Sequence, residues 1–221
     1  MDLVVSDLVV AIDGPAGAGK STVAKLVASQ LGLRYLDTGA MYRAFAFVAS
    51  RAGIGREDQA GAEALAATVQ VSFGPGEPQR VIINGEDVTD SIRTPEISDL
   101  ASALSVFPGV RRALVEQQKQ IVAGGGVVLE GRDTTSVIAP DAEVKVFLTA
   151  SLEERAIRRA KELQQRGSEV PLEELTRQIA ERDHRDYTRA DSPLVRAPGV
   201  HVLVTYGRAP LELANKISAN A

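Results

Sequence analysis

The chain has 221 residues, of which 44% are hydrophobic and 24% charged, as expected for a soluble protein with a real core. Its net charge of -4 at pH 7 excludes a broadly basic surface for nucleic acid. Cysteine is absent, which excludes disulfides, thiolate metal sites and cysteine nucleophiles. The longest N-terminal apolar stretch, Leu8–Ile12, is far below the roughly 20 residues of a membrane-spanning helix. We expect a cytoplasmic monomer that binds neither nucleic acid nor a membrane.

Strands and helices alternate along most of the chain. Short β-branched runs predict strands, and apolar residues at helical spacing predict helices. In chain order, the pattern predicts a strand at 8–12, helices at 21–31, 41–51 and 60–68, helix in pieces from 94 to about 123, strands at 127–129 and 144–148, helices at 151–165 and 172–186, a strand at 201–205 and a helix at 211–218. This alternation predicts an α/β fold with a parallel sheet covered on both faces.

One segment departs from that alternation. Short strands are predicted at 69–73, 80–84 and 87–89, with Asn84-Gly85 forming one of the turns between them. We therefore expect a small antiparallel sheet within an inserted region at 67–105. Residues 1–66 and 106–221 would then form the core of the fold.

A glycine-rich loop supplies the clearest chemical motif. Residues 14–21, Gly-Pro-Ala-Gly-Ala-Gly-Lys-Ser, match GxxxxGK[ST] between a predicted strand and a predicted helix. Glycines allow backbone N–H groups to surround a phosphate, and the helix N-terminus adds partial positive charge. Lys20 would reach the β- and γ-phosphates, and the Ser21 hydroxyl would bind Mg²⁺. The motif predicts a site for a nucleoside triphosphate with Mg²⁺.

The loop alone leaves the class of protein open. A GTPase would need an NKxD motif to read guanine, and Asn215-Lys216-Ile217-Ser218 differs at the fourth position. A mechanical ATPase would need a longer core than this chain allows. A kinase for a small acceptor is favoured, and a nucleotide-binding regulatory module is the alternative that is not an enzyme.

Several further segments together resemble the bacterial cytidylate kinases. The resemblance runs from about residue 8 to residue 204 and is carried by Ile12–Thr22, Leu36–Arg43, Ile92–Glu96, Glu130–Asp133, Glu181–Asp186, Arg189 and Ser192–Leu194. It implies a three-layer P-loop NTPase fold, with the insertion binding a nucleoside monophosphate and a helical lid at about 151–172. The implied activity is transfer of the γ-phosphoryl of ATP to CMP or dCMP, in pyrimidine nucleotide metabolism. From the residues alone, a kinase for shikimate or dephospho-coenzyme A stays open.

The resemblance also implies which residues bind the acceptor. Arg43 and Arg132 would hold its phosphate, and a carboxylate such as Asp133 could accept a hydrogen bond from the exocyclic amine of cytosine. Asp186 would bind the pentose hydroxyls. The full set implied for CMP is Thr38, Tyr42, Arg43, Ser102, Arg111, Arg132, Asp133, Arg182, Asp186 and Arg189.

The donor side combines the loop with arginines of the proposed lid. Lys20, Arg132 and Arg158 are the implied catalytic residues. The residues implied for ATP are Gly14, Pro15, Ala16, Gly17, Ala18, Gly19, Lys20, Ser21, Thr22, Arg155 and Arg159. Taken by themselves, the arginines of this helix are more typical of a solvated face paired with Glu153 and Glu154.

Two segments depart from the family pattern. Thr134-Thr135-Ser136 follows Asp133 where many relatives have a Gly and a Thr, which predicts a base pocket of slightly different shape. The segment 202–208 lacks the acidic residue common after the last strand.

Overall fold

The protein is described by a computed structural model that covers residues 7–76, 78–165 and 167–221. The chain forms two compact units, one made of residues up to 36 together with 124–221 and the other of 37–123. Each unit has its own hydrophobic core. Within the described residues, no helix is long and apolar enough to span a membrane. The predicted insertion at 67–105 lies inside the second unit, and its role in binding stays a prediction.

The elements follow the expected alternation. In chain order they are β1 (Val9–Asp13), α1 (Lys20–Leu31), β2 (Arg34–Asp37), α2 (Thr38–Arg51), α3 (Gln59–Ala66), β3 (Val71–Gly74), β4 (Arg80–Ile83), β5 (Glu86–Asp87), α4 (Pro95–Leu104), α5 (Pro108–Val122), β6 (Val127–Gly131), β7 (Val144–Thr149), α6 (Leu152–Gln165), α7 (Leu172–Thr188), β8 (His201–Val204) and α8 (Pro210–Ser218). A 3-10 turn at Ser91–Arg93 and a π-helical turn at Thr134–Ile138 complete the series.

The larger unit is built on a sheet of five strands in the order β2-β6-β1-β7-β8. β1 pairs in parallel with both β6 and β7, and β8 pairs in parallel with β7. Val10 and Ile12 of β1 belong to a core that includes residues of α1 and α8. Ala11, on the opposite face of the same strand, is also fully buried. Both faces of the sheet are therefore covered, and the predicted parallel α/β fold is confirmed.

The smaller unit contains the predicted antiparallel sheet, with strand order β3-β4-β5. Its turn at Asn84-Gly85 has positive φ at both residues, as a tight hairpin of this kind requires. The side-chain amide of Gln117 on α5 binds the backbone beside β3, accepting from Val71 N–H and donating to the Val69 carbonyl. These bonds anchor the sheet to the helices of its own unit.

Two elements differ from the sequence prediction. β2 was not predicted, because four residues with only Tyr35 and Leu36 apolar carry too little periodic signal. α2 begins at Thr38 rather than Met41, since the Asp37 carboxylate caps the helix by accepting a hydrogen bond from Ala40 N–H. Gly39 in the first turn weakens the helical pattern that would have indicated this start.

Gly14 is predicted to tolerate no side chain. Its φ is +151°, and a Cβ there would lie 2.1 Å from the carbonyl oxygen of Leu148 on β7. Gly14→Ala should lower the free energy of unfolding by more than about 3 kcal/mol, because the clashing atom belongs to the sheet backbone.

Gly32→Ala is the matched control for this substitution. Gly32 also has positive φ, but a Cβ there would meet no atom within 4 Å, so the cost should stay near the roughly 1–2 kcal/mol of left-handed backbone. Denaturant unfolding of both variants makes the comparison, and equal losses would contradict the steric argument.

Candidate active site

The phosphate loop leaves the carboxyl end of β1 and leads directly into α1. Gly17 and Gly19 have φ of +75° and +88°, and Gly19 is the N-cap of the helix. Gly14, Pro15 and Ala18 are buried, Ala16 is half-buried and Gly17 is exposed. The Nζ of Lys20 donates a hydrogen bond of 2.9 Å to the Pro15 carbonyl, across the loop itself. The predicted loop and its lysine are thus folded as a compact anion cradle at a helix N-terminus.

Lys20 lies in a strongly charged environment. Burial, the largest cause, and the nearby guanidiniums of Arg132 and Arg182 together lower the pKa of Lys20 to about 7. The carboxylates of Glu130 and Asp13 oppose them. The structure therefore brings the loop lysine together with two arginines predicted to bind the acceptor.

The two key arginines of α6 have different surroundings. Arg155 is buried, and its Nη1 lies 2.6 Å from a carboxylate oxygen of Asp183 and 3.0 Å from the Ala16 carbonyl oxygen. Arg158 is half-buried and donates to the hydroxyl and the carbonyl of Thr205, at 2.9 and 3.2 Å. Its Nη1 would lie 3.8 Å from a Cβ placed on Gly19. Arg155 thus joins α6 to the phosphate loop. Arg158 lies beside Gly19 of the loop, and its Nε also forms an ion pair of 3.2 Å with Glu154.

Arg159 lies away from these contacts. It forms a partly exposed ion pair with Glu162, one turn further along α6. Such pairs contribute little to stability. Its predicted contact with ATP stays a prediction.

The residues of the larger unit that are predicted to bind the acceptor form a network of alternating charge. The Nε of Arg132, just after β6, lies 2.8 Å from a carboxylate oxygen of Asp186 on α7. The other oxygen of Asp186 is 3.5 Å from Arg189, which approaches Asp133 to 3.8 Å. Burial raises the pKa of Asp186, but Arg132, Arg182 and Arg189 outweigh it, so the pKa is lowered. The structure brings five predicted residues together here.

The smaller unit carries the other predicted acceptor residues. Tyr42 and Arg43 lie on α2, and the Arg111 guanidinium of α5 stacks 5.3 Å from the centre of the Tyr42 ring. Arg111 also donates to the Ser105 carbonyl, and the Ser105 hydroxyl donates to the Ser102 carbonyl on α4. Ser102, Arg111 and Tyr42 are therefore linked within this unit.

Arg43 and Thr38 lie in the first two turns of α2. Arg43 forms an ion pair of 2.7 Å with Asp37, the residue that caps the helix. A Cβ on Gly39 would lie 3.2 Å from the Arg43 guanidinium, so the glycine leaves room for it. Thr38 is buried as the first residue of α2.

Sequence reasoning missed three buried or half-buried aspartates that hold the predicted residues. Asp37 holds Arg43, Asp183 holds Arg155, and Asp13 binds the segment that follows Asp133. Asp37 could have been found as an N-cap before a helix. Asp183 precedes Asp186 by three residues on one helix face, which is a usable signal. Asp13 gave only one hint, an acidic residue ending an apolar strand.

The chain offers few ligands to a metal ion. Among the described residues, no group of three histidines or acidic side chains could hold one. Ser21 is exposed in the first turn of α1, directly after Lys20, and its hydroxyl is a hard oxygen ligand of the kind Mg²⁺ accepts. This arrangement fits a magnesium ion held mainly by nucleotide phosphates.

The phosphate loop at the end of a central parallel strand, with arginines beside its lysine, defines a P-loop phosphotransferase. A family model described as Cytidylate kinase matches residues 10–221. The chain belongs to the cytidylate kinase family.

Curated relatives agree with that family. The chain is 50% identical over 194 residues to a cytidylate kinase of Ligilactobacillus salivarius, covering 87% of each chain. It is 50% identical over 212 residues to a bifunctional pantoate ligase/cytidylate kinase of Synechococcus sp., covering 94% of this chain but only 39% of that relative. A shikimate kinase from Acinetobacter baumannii in complex with shikimate is 17% identical with a TM-score of 0.46, covering 96% of this chain and 90% of that one.

Substitution of Arg155 should mainly lower stability, whereas substitution of Arg158 should mainly lower the catalytic rate. Arg155→Met leaves the Asp183 carboxylate buried without its ion pair and should cost about 3–5 kcal/mol of stability. Arg158→Met should cost less than about 1 kcal/mol, because the side chain is half-buried, but should lower kcat roughly 100-fold or more. Denaturant unfolding and initial rates measure the two effects. Equal destabilisation by both substitutions would contradict the division of roles.

Lys20 should take up a proton when a nucleoside triphosphate binds. With a pKa of about 7 it is mostly neutral at pH 8, and the bound phosphates would favour its charged form. Calorimetry with Mg-ATP in two buffers of different ionisation enthalpy should show clearly more proton uptake at pH 8 than at pH 6. Lys20→Arg should abolish the difference, because a guanidinium stays charged at both pH values. The same uptake at both pH values would contradict the prediction.

Proposed function

We propose that this protein transfers the γ-phosphoryl group of ATP to CMP or dCMP, forming ADP and the cytidine diphosphate. The observation that carries the proposal is the convergence of Lys20, Arg132 and Arg182 beside the network that contains Asp133 and Asp186. A phosphoryl donor and a phosphorylated acceptor together bring many negative charges. A buried cluster of cations next to a phosphate loop suits that pair of substrates.

The donor is held by the loop and the start of α1. In the proposed complex, Lys20 exchanges its bond to the Pro15 carbonyl for oxygens of the β- and γ-phosphates. The Ser21 hydroxyl would be a ligand to Mg²⁺, which would neutralise charge on the donor phosphates. Arg158 would leave Thr205 and contact the transferring phosphoryl group, with Arg155 keeping α6 against the loop. Arg159 and Thr22 are proposed as outer contacts to ATP.

The acceptor phosphate needs alignment more than a strong base. Its attacking oxygen is already anionic, so Arg43 and Arg132 would orient it and offset repulsion from the donor. Arg132 is well suited because burial lowers its pKa but the ion pair with Asp186 outweighs that, leaving the pKa raised. The guanidinium is thus charged at any physiological pH. Thr38, Tyr42 and Arg182 are proposed to line the same phosphate and sugar.

Base selection is assigned to Asp133 and its neighbours. The Asp133 carboxylate can accept from the amine of cytosine, whereas uracil has a carbonyl at that position and would leave the carboxylate unpaired. Arg189 lies close enough to orient Asp133, and Ser102 with Arg111 are proposed to contact the remaining edge of the ring. Asp186 would accept from the pentose hydroxyls.

The wider setting follows from these substrates. We propose a monomer, because this one chain supplies every group that the reaction needs. ATP and CMP are nucleotides of the cytoplasm, where we propose that the protein works. The net charge of -4 supports small nucleotides rather than nucleic acid as partners.

The test is a substrate panel with Mg-ATP and CMP, dCMP, UMP, AMP, GMP, dTMP, shikimate and dephospho-coenzyme A. CMP and dCMP should give the highest kcat/KM. Preference for another acceptor would overturn the assignment of CMP, and hydrolysis of ATP unaffected by any acceptor would favour a regulatory module.

Asp133→Ala should weaken recognition of the acceptor and leave the binding of ATP unchanged. We expect kcat/KM for CMP to fall about 100-fold or more, because a buried partner of the base is lost, with the Kd of ATP within about twofold of the original. Asp99→Ala is a matched control, since Asp99 lies on the exposed surface in an ion pair with Arg56. An equal loss of ATP affinity in Asp133→Ala would point to a structural role instead.

A further inference from the structure

Asp13 is a wholly buried carboxylate that the proposed mechanism does not use. It ends β1, immediately before the phosphate loop. One of its oxygens accepts from the N–H and hydroxyl of Thr134 at 2.9 and 2.8 Å. The other accepts from the N–H and hydroxyl of Thr135, both at 2.7 Å. We call these three residues the Asp13 clasp.

The clasp suits a carboxylate. A carboxylate accepts hydrogen bonds, and here it meets two backbone N–H groups and two hydroxyls, all of which donate to it. Burial, the largest cause, leaves the pKa of Asp13 raised, although the bonds from Thr135 and Thr134 oppose that effect. Thr134 and Thr135 are themselves buried, at 0% and 1% exposure. The whole arrangement is therefore shielded from water, and hydrogen bonds are stronger in such a buried site than at the surface.

The clasp closes a very short loop. β1 and β6 remain in register up to the pair formed by Asp13 and Gly131. Only Arg132 and Asp133 separate that pair from the first threonine of the clasp. The backbone carbonyl of Asp133 then accepts from Val137 and Ile138 N–H, so its C-terminal side is also held. Both ends of the segment that carries the two acceptor residues are thus fixed to the sheet.

We propose that Asp13, Thr134 and Thr135 are positioning residues that set the selectivity for the acceptor base, by fixing the direction in which Asp133 presents its carboxylate. The inference rests on the proposed function of Asp133. Selectivity by hydrogen bonding requires the acceptor atom to stay in place, because a carboxylate free to turn could avoid an unfavourable carbonyl of the wrong base. A looser segment would still bind a pyrimidine nucleotide, but would distinguish the two bases less well.

The two threonine hydroxyls are the part of the clasp that depends on side chains of this loop. They supply two of the four bonds, and any residue other than proline at these positions could supply the other two from its backbone N–H. The next residue, Ser136, has a buried hydroxyl for which the structure gives no hydrogen-bond partner. Ser136 therefore provides a matched control in the same turn.

The test compares Thr135→Val, Thr135→Ser and Ser136→Ala in the full chain. Thr135→Val keeps the shape but removes one bond to Asp13. It should raise the KM of CMP about tenfold and lower the ratio of kcat/KM for CMP over UMP by a similar factor. The Kd of ATP should change less than about twofold. Thr135→Ser, which keeps the hydroxyl, should restore both values, and Ser136→Ala should leave them unchanged.

Each outcome decides one question. If the original protein does not phosphorylate CMP, the proposed function fails and this inference with it. If it does, but Thr135→Val lowers kcat for CMP and UMP equally at an unchanged ratio, the clasp has no part in selectivity. If Thr135→Val lowers the ratio of kcat/KM for CMP over UMP and Thr135→Ser lowers it equally, the inference is also overturned. Thermal unfolding of all three variants and Asp13→Asn reports stability separately, so a drop in Tm alone, with the ratio intact, counts against the proposal.

Discussion

The parallel pairing of β1 with β6 on one side and β7 on the other is the constraint on which the larger unit depends. Parallel strands place their carboxyl ends at one edge of a sheet, so the segments that follow them meet there. The phosphate loop follows β1, Arg132 and Asp133 follow β6, and α6 follows β7 after two residues. The pairing of these strands thus brings together residues that are more than 100 positions apart in the chain.

The same edge concentrates charge that must be compensated. Lys20, Arg132 and Arg155 are buried or nearly so, and an unpaired charge in such a place would be costly. Carboxylates compensate two of these charges: Asp186 forms an ion pair with Arg132, and Asp183 forms one with Arg155. The loop lysine instead has a main-chain carbonyl as its hydrogen-bond partner and a lowered pKa. The two buried guanidiniums therefore have carboxylate partners, whereas the ammonium group of Lys20 is bonded to the main chain.

Much of this arrangement could be predicted from the sequence. The GxxxxGK[ST] motif and the β-branched runs indicated the loop, four of the five parallel strands and the small antiparallel sheet, because those signals are local. β2 was not predicted, because an edge strand of four residues has little hydrophobic periodicity. Clusters of charge that join distant segments have no local signal. Asp183 shares a helix face with Asp186 and could have been singled out from the sequence, but only the packing of α6 beside α7 shows that Arg155 is its partner.

The contact of Arg155 with the Ala16 carbonyl and Asp183 has a consequence for how α6 could bend. Rotation of the whole helix away from the loop would separate the buried ion pair between Arg155 and Asp183 and break the bond to the Ala16 carbonyl. Bending beyond Ala156 would leave that pair intact and would still move the exposed end of the helix. The first turn of α6 is therefore tied to the phosphate loop through Arg155, and a bend that preserves this pair must lie beyond Ala156.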